Sequence, residues 1–213
     1  MRFVSAVLLS ALVLLPSAAF AQTWEIGGTA GSGFFNHLPV SSQFGSATAG
    51  FANGPVYGGF IGHNMYRLFS GEFHYDFSNR DLKVGASGSD VRFKAKAHSI
   101  HYDFLIHAAP VRARARPFLA VGGGMKMYRG TGAESAYQPL QQYAILTRTQ
   151  ETKPLLSVGG GLKIRLSERV ALRMEFRDQI TPFPKNVIAP APGASIGGWI
   201  HDLIPVFGVS FLL

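Results

Sequence analysis

Val170-Ala-Leu-Arg-Met-Glu-Phe-Arg177 places Val170, Leu172, Met174 and Phe176 on one parity and Arg173, Glu175 and Arg177 on the other. Period two is the signature of an extended strand, because successive side chains leave opposite faces of the backbone. Two environments produce it. In a water-borne sandwich the apolar face is the core and the charged face meets solvent. In a membrane barrel the apolar face meets lipid and the charged face points inward. One strand does not separate them, so the neighbouring sequence decides.

The same alternation recurs along the chain. After residue 199, Leu203, Pro205, Phe207, Val209, Phe211 and Leu213 share one face and Asp202, Ile204, Val206, Gly208, Ser210 and Leu212 the other. Leu156, Val158, Leu162 and Ile164 oppose Ser157, Lys163 and Arg165. Phe69, Phe73, Tyr75 and Phe77 oppose Ser70, Glu72, His74 and Asp76, and Trp24, Ile26 and Ala30 oppose Glu25 and Thr29. Eight strands are read, over about 23–32, 54–63, 68–78, 91–107, 116–129, 154–166, 169–181 and 200–213. Between them the connections alternate long (33–53), short (64–67), medium-long (79–90), short (108–115), long (130–153), very short (167–168) and long (182–199). Outer-membrane barrels have this alternation, with short periplasmic turns and longer outer loops, and a sandwich has no reason for it. Two parities stay open at this level. Strand 54–63 carries no clear phase. In 91–107, Arg92, Lys94, Lys96 and His98 share a parity with Ile100, Tyr102, Phe104 and Ile106, so either a bulge flips the phase or the basic half stands above the bilayer.

Composition agrees. The chain has 213 residues, 47% hydrophobic and 15% charged, with 25 glycines and no cysteine. Thiol nucleophiles, disulfides and cysteine-based metal sites are excluded. The aromatic content, 12%, and the low charge exclude a disordered chain. Past residue 21 no apolar run reaches the ~18 residues that a membrane helix needs. Residues 1–21 read as a cleaved signal peptide: Arg2, an apolar stretch from Val4 to Leu15, Pro16, then Ala19-Phe20-Ala21. Residues 22–213 would then form the barrel. Cleavage removes Arg2 and turns the formal charge of +8 into +7. Export makes nucleic acid an unsuitable partner despite that charge.

An internal repeat adds to this. Arg116 to Met127 (RPFLAVGGGMKM) parallels Lys153 to Ile164 (KPLLSVGGGLKI), and each copy sets one lysine, Lys126 or Lys163, opposite its apolar residues. Glycine inside a strand costs stability in water. In a small closed barrel it leaves interior room for long charged side chains.

On these residues the chain resembles small outer-membrane β-barrel proteins of the OmpA transmembrane-domain and OmpX type. The resemblance covers the whole mature chain, and it implies an all-β, eight-stranded, antiparallel, up-and-down transmembrane barrel. It also implies that the last strand carries the signal read by the barrel assembly machinery. Phe207, Val209 and Phe211 match that signal, while the final Leu213 replaces the usual terminal aromatic. The periplasmic peptidoglycan-binding domain of longer OmpA-like proteins is not expected within these residues, which are all assigned to the signal and the barrel.

Ten side chains are expected to line the lumen as a polar network: Glu25, Glu72, His74, Asp76, Lys126, Lys163, Arg165, Arg173, Glu175 and Arg177. An eight-stranded barrel is just wide enough for side chains, so a paired, plugging network is preferred to a narrow pore. Enzymatic and metal readings find little support. No His-x-Ser-Asn pattern of a lipid A deacylase is present, and His98-Ser99-Ile100-His101 puts its histidines on opposite faces. The glycine triplets lack the Gly-Lys-Ser/Thr ending of a phosphate loop. No catalytic, cofactor or metal site is therefore expected. The expected role is structural or surface-interacting, with outer-membrane lipids, lipopolysaccharide and an extracellular ligand of the outer loops as partners. Arg92, Lys94 and Lys96 are candidates for lipopolysaccharide phosphates. Arg112, Arg114 and Arg116 are expected to be solvated or at lipid phosphates by a periplasmic turn. Trp24, Tyr66, Tyr102, Tyr128 and Trp199 are candidates for aromatic girdles.

Overall fold

The computed structural model describes residues 24–86 and 88–213; the proposed signal segment lies outside them. Fifteen strands follow one another: β1 (Trp24–Phe35), β2 (Leu38–Ser42), β3 (Gly45–Phe51), β4 (Gly54–His63), β5 (Phe69–Ser78), β6 (Leu82–Ala86), β7 (Ser89–Phe93), β8 (Ala95–His107), β9 (Ala115–Gly130), β10 (Ala144–Leu146), β11 (Gln150–Arg165), β12 (Val170–Pro182), β13 (Ile188–Pro190), β14 (Ser195–Ile196) and β15 (Trp199–Leu212). Eight of them close a barrel in the order β1-β15-β12-β11-β9-β8-β5-β4. Every neighbouring pair is antiparallel, and β1 seals the cylinder by pairing with both β15 and β4. Closure leaves no sheet edge, which a lipid-exposed sheet requires.

The outer wall is apolar. Phe73, Tyr75, Ile100, Tyr102, Phe104, Ile106, Leu119, Val121, Leu156, Val158, Phe176 and Phe207 are all exposed on it. No helix long and apolar enough to cross a membrane occurs among the described residues.

Both open phases are resolved. In β4, Val56 and Phe60 are buried while Tyr57 and Ile61 are exposed, so the even residues face inward. The predicted strand 91–107 is two strands broken at Lys94: β7 joins a sheet outside the barrel, and β8 enters the wall. Within β8 the phase does not flip. Ala95, Ala97, Ser99, His101, Asp103, Leu105 and His107 point in, and Lys96 stands on the outer wall above Ile100 and Tyr102.

The two repeat copies sit side by side, with Val121 opposite Val158. Their glycines open the interior. A Cβ at Gly122 would overlap Asp103, one at Gly124 would overlap His101, and one at Gly161 would meet the ring of Phe118.

The long connections fold further than loops. β14-β2-β3-β6-β7 form a five-stranded sheet and β10-β13 a second pair, all at the end opposite the short turns. They enclose an apolar core that includes Val40, Phe51, Leu82, Val84, Leu146, Val187, Ile188 and Ile196 and runs down to Phe35 and Tyr128 in the barrel mouth. Tyr128, a girdle candidate from the sequence, is fully buried there and shares a 2.7 Å hydrogen bond with Thr181. Its parity is that of Lys126, so it points inward. His37, between β1 and β2, has its pKa pushed below the ordinary histidine value, first by burial and then by the charge of Lys83. Its neutral form suits the folded cap, and acidification below the unfolded pKa of about 6.5 disfavours that state.

Ile188 is wholly buried in this cap. Ile188→Val is expected to weaken the cap by about 1 kcal/mol. Amide exchange in β10 and β13 should then speed up about fivefold while the barrel strands keep their protection. Equal acceleration in both would refute the cap as a separately opening unit.

Candidate functional site: the lumen

The interior is a ladder of ionic groups. At the short-turn end, Arg116 donates to Asn64 (2.8 Å) and to the carbonyl of Ala109 (3.1 Å). Lys163 bridges Glu25 (2.7 Å) and Glu72 (2.8 Å). Arg173 then joins Glu72 (2.7 Å) to Glu175 (2.7 Å). Arg177 contacts Glu175, lies 3.1 Å from Asp103 and donates to His101 at 2.7 Å. Higher up, Gln179 donates to Asp76 (2.9 Å) and accepts from Lys126 (2.8 Å). Asp202 closes the top between Lys126 (2.6 Å) and Arg80 (2.8 and 2.5 Å).

The stoichiometry is balanced. Among the described residues, six carboxylates are buried (Glu25, Glu72, Asp76, Asp103, Glu175, Asp202) against six cations (Arg80, Arg116, Lys126, Lys163, Arg173, Arg177). A buried ion costs several kcal/mol unless paired, so a neutral ladder is the arrangement a narrow lumen tolerates. Aromatic faces complete it. The Arg173 guanidinium lies 4.5 Å from the Phe60 ring centroid and 4.7 Å from that of Phe118. Arg80 lies 4.1 Å from the ring of Phe35. Such contacts are worth more once desolvated.

Nine of the ten side chains expected in the lumen are buried there: Glu25, Glu72, His74, Asp76, Lys126, Lys163, Arg173, Glu175 and Arg177. Arg165 departs. It is half-buried at the mouth and donates to the carbonyl of Val111 (2.8 Å), because the last inward position of β11 reaches the turn backbone rather than the ladder. Arg116 is a correction of the opposite sense. Expected at solvent or lipid phosphate, it is 4% exposed and points inward on the parity of Phe118.

The sequence reading also missed members of the network. His101, Asp103 and His107 are hidden by the open phase of 91–107; the signal for them is the run of Ile100, Tyr102, Phe104 and Ile106 on the opposite, outward parity. Asp202 shares parity with the inward Ile204 and was legible. Arg80 had no signal, because it sits in the bend between β5 and β6. A Cβ at Gly33 would overlap its guanidinium, so glycine there is what admits it.

His74, His101 and Asp103 offer donor atoms within 4.8 Å of one another, the spacing of a metal site. Arg177 supplies the positive charge among them: its guanidinium contacts His101, His74 (3.3 Å) and Asp103. The two imidazole rings stack at 5.0 Å, 4° from parallel. A divalent ion would have to displace Arg177, so the set fits an ion-paired lumen better than a metal centre.

Phe207, Val209 and Phe211 are exposed on the outer face of β15, and Leu213, just past its end, is exposed as well. The basic trio separates: Arg92 pairs across strands with Lys83 in the cap, Lys94 lies 3.9 Å from Asp81, and Lys96 stands opposite Arg129 on the outer wall.

No protein-family model and no curated protein matches the chain. Solved structures do. The chain is similar to Neisserial surface protein A (TM-score 0.54, 14% identity, 91% of this chain and 99% of that one). It is also similar to the outer membrane protein OprG of Pseudomonas aeruginosa (0.55, 10%, 91% and 98%). A third is the outer membrane protein AlkL, solved by solid-state NMR in lipid bilayers (0.56, 14%, 93% and 94%). At these identities the likeness is one of fold, and it matches the barrel read from the strands. The chain has the architecture of the small eight-stranded outer-membrane barrels.

Proposed function

We propose that the protein is a non-enzymatic scaffold of the outer membrane, exported by its N-terminal signal, with a closed lumen and a folded cap displayed outside. One observation carries this reading: a neutral six-against-six ladder of buried side chains occupies the lumen and an apolar core lies over its upper end, which favours a closed barrel over an open pore. The apolar outer wall supports residence in a bilayer. The buried ladder gives no nucleophile exposed to a substrate, which favours a scaffold over a lipid A-modifying enzyme. Outside, Lys96 and Arg129 are exposed cross-strand partners just above the apolar wall. Like charges in direct opposition repel, and an anionic partner such as lipopolysaccharide phosphate relieves them. The cap sheet is the surface on which an extracellular ligand would dock.

The test is electrical. Refolded protein in planar bilayers is expected to give a flat baseline with no discrete conductance steps. Regular unitary steps from the wild type would replace the scaffold with a small pore.

A further inference from the structure

The net charge of the mature chain is not spread over it. The lumen is neutral, so the surplus lies at the two ends. At the end that carries both chain termini, Arg67, Arg112, Arg114, Arg165 and Arg169 face a single acid, Glu168. Four of these arginines are exposed and Arg165 is half-buried. Arg165 spends one N–H on the carbonyl of Val111 (2.8 Å), whereas Arg67, Arg112, Arg114 and Arg169 are exposed in the turns and, among the described residues, have Glu168 as the one acidic side chain beside them.

Beside one of them lies an open groove of about 570 Å³ on the outer wall. Met65, Tyr66, Leu68, Phe69 and Phe104 line it together with the carbon stem of Arg67, whose guanidinium is not part of the wholly apolar lining. The turn between β4 and β5 shapes it. The amide of Tyr66 donates to the carbonyl of Phe69 (3.1 Å), and the amide of His107 donates to that of Leu68 (2.8 Å). These bonds tie the turn to the end of β8. Tyr66 and Phe69 remain 73% and 48% exposed, and Phe104 57%. The groove therefore sets an apolar trough beside an exposed arginine whose stem borders it and whose charged end is left to the surroundings. That is the chemistry of a glycerophospholipid: an acyl chain against carbon, a phosphate against a guanidinium.

We propose that this groove binds one anionic phospholipid of the inner leaflet, with its chain along Leu68, Phe69 and Phe104 and its headgroup phosphate on Arg67. The inference rests on the membrane reading given under the proposed function. Arg67 sets the preference for net negative lipid, since one arginine near an anionic surface is worth about fivefold in binding. The groove sets the location, which free phosphate or a soluble anion would not share.

The experiment uses the full mature chain refolded into vesicles of equal phosphatidylglycerol and phosphatidylcholine, released gently and weighed by native mass spectrometry. The wild type should retain one phosphatidylglycerol, favoured about fivefold over phosphatidylcholine. Arg67→Gln should erase the preference while lipid is still retained. Phe104→Ser should lower retention of both lipids. Arg112→Gln, on another turn, should change neither. A wild type that keeps both lipids equally, or an Arg67→Gln protein with unchanged preference, would overturn the site. Heat-modifiable migration of each refolded sample reports insertion separately. Its absence in the wild type would overturn the membrane reading and the site with it. Insertion with unselective lipid overturns only the site.

Discussion

Arg173→Leu is expected to lower the unfolding free energy by about 3–5 kcal/mol, the cost of leaving buried charge without its partner. Arg173 is 1% exposed and bridges Glu72 and Glu175 directly. Without it Glu72 keeps Lys163 and His74 (3.0 Å), and Glu175 keeps Arg177. The ladder then carries one net negative charge in a space that water does not reach freely. Phe60 and Phe118 lose the cation held between them. The measurement is urea-dependent unfolding from vesicles, followed by heat-modifiable migration. The double variant Arg173→Leu with Glu175→Leu restores neutrality and should be less destabilised than the single one, because apolar replacement of a buried ion pair is often tolerated. Such non-additivity is the signature of one network. A single variant that loses less than about 1 kcal/mol would mean that water enters and screens the ladder.

Asp202→Asn is expected to cost about 3 kcal/mol or more and to loosen the cap. The asparagine keeps the shape but removes the one carboxylate that, among the described residues, pairs with both Arg80 and Lys126. Two cations then face each other at the neck where the ladder meets the apolar core. Arg80 belongs to the bend that leads into β6, so its release frees one end of the cap sheet. Limited proteolysis should cut within 79–94 at least several times faster than in the wild type, with the barrel strands still resistant. Uniform loss of resistance would show instead that cap and barrel unfold as one.

The ladder explains why the chain reads as it does. Small barrels have little interior volume, so every inward cation needs both a carboxylate and a place for its bulk. The glycines of the repeat, Gly122, Gly124, Gly159 and Gly161, lie beside Asp103, His101, Arg177 and Phe118 respectively. Interior glycine is therefore the counterpart of interior charge, and the two occur on adjacent strands.

Much of this was legible beforehand. Strand number, the order of long and short connections, and the inward side of β5, β12 and β15 all follow from alternation, which is a property of the backbone alone. Arg173, Glu175 and Arg177 announce their side because Met174 and Phe176 intervene. Where both parities carry apolar residues, as in β4, or where charge and hydrophobicity share a parity, as in β7 and β8, local pattern is silent. Only closure of the barrel decides those, because it determines which side of the sheet is concave.

The pairing itself lies beyond any local pattern. Lys163 meets Glu25 across 138 residues and Arg80 meets Asp202 across 122. Period two places a charge on the inner face but does not say at what height it stands, and height follows from the stagger between strands. The cap is the clearest case. β2, β3, β6, β7, β10, β13 and β14 come from four separate connections, each too short and too mixed to announce a strand of its own. They become strands because the barrel gathers their ends at one rim, where joining buries Leu82, Val187 and Ile188 together. Alternation alone assigns the outward and inward residues along the clearest strands. Tertiary structure decided which charges meet and that the outer loops fold over the lumen, since both depend on proximity that only the closed cylinder creates.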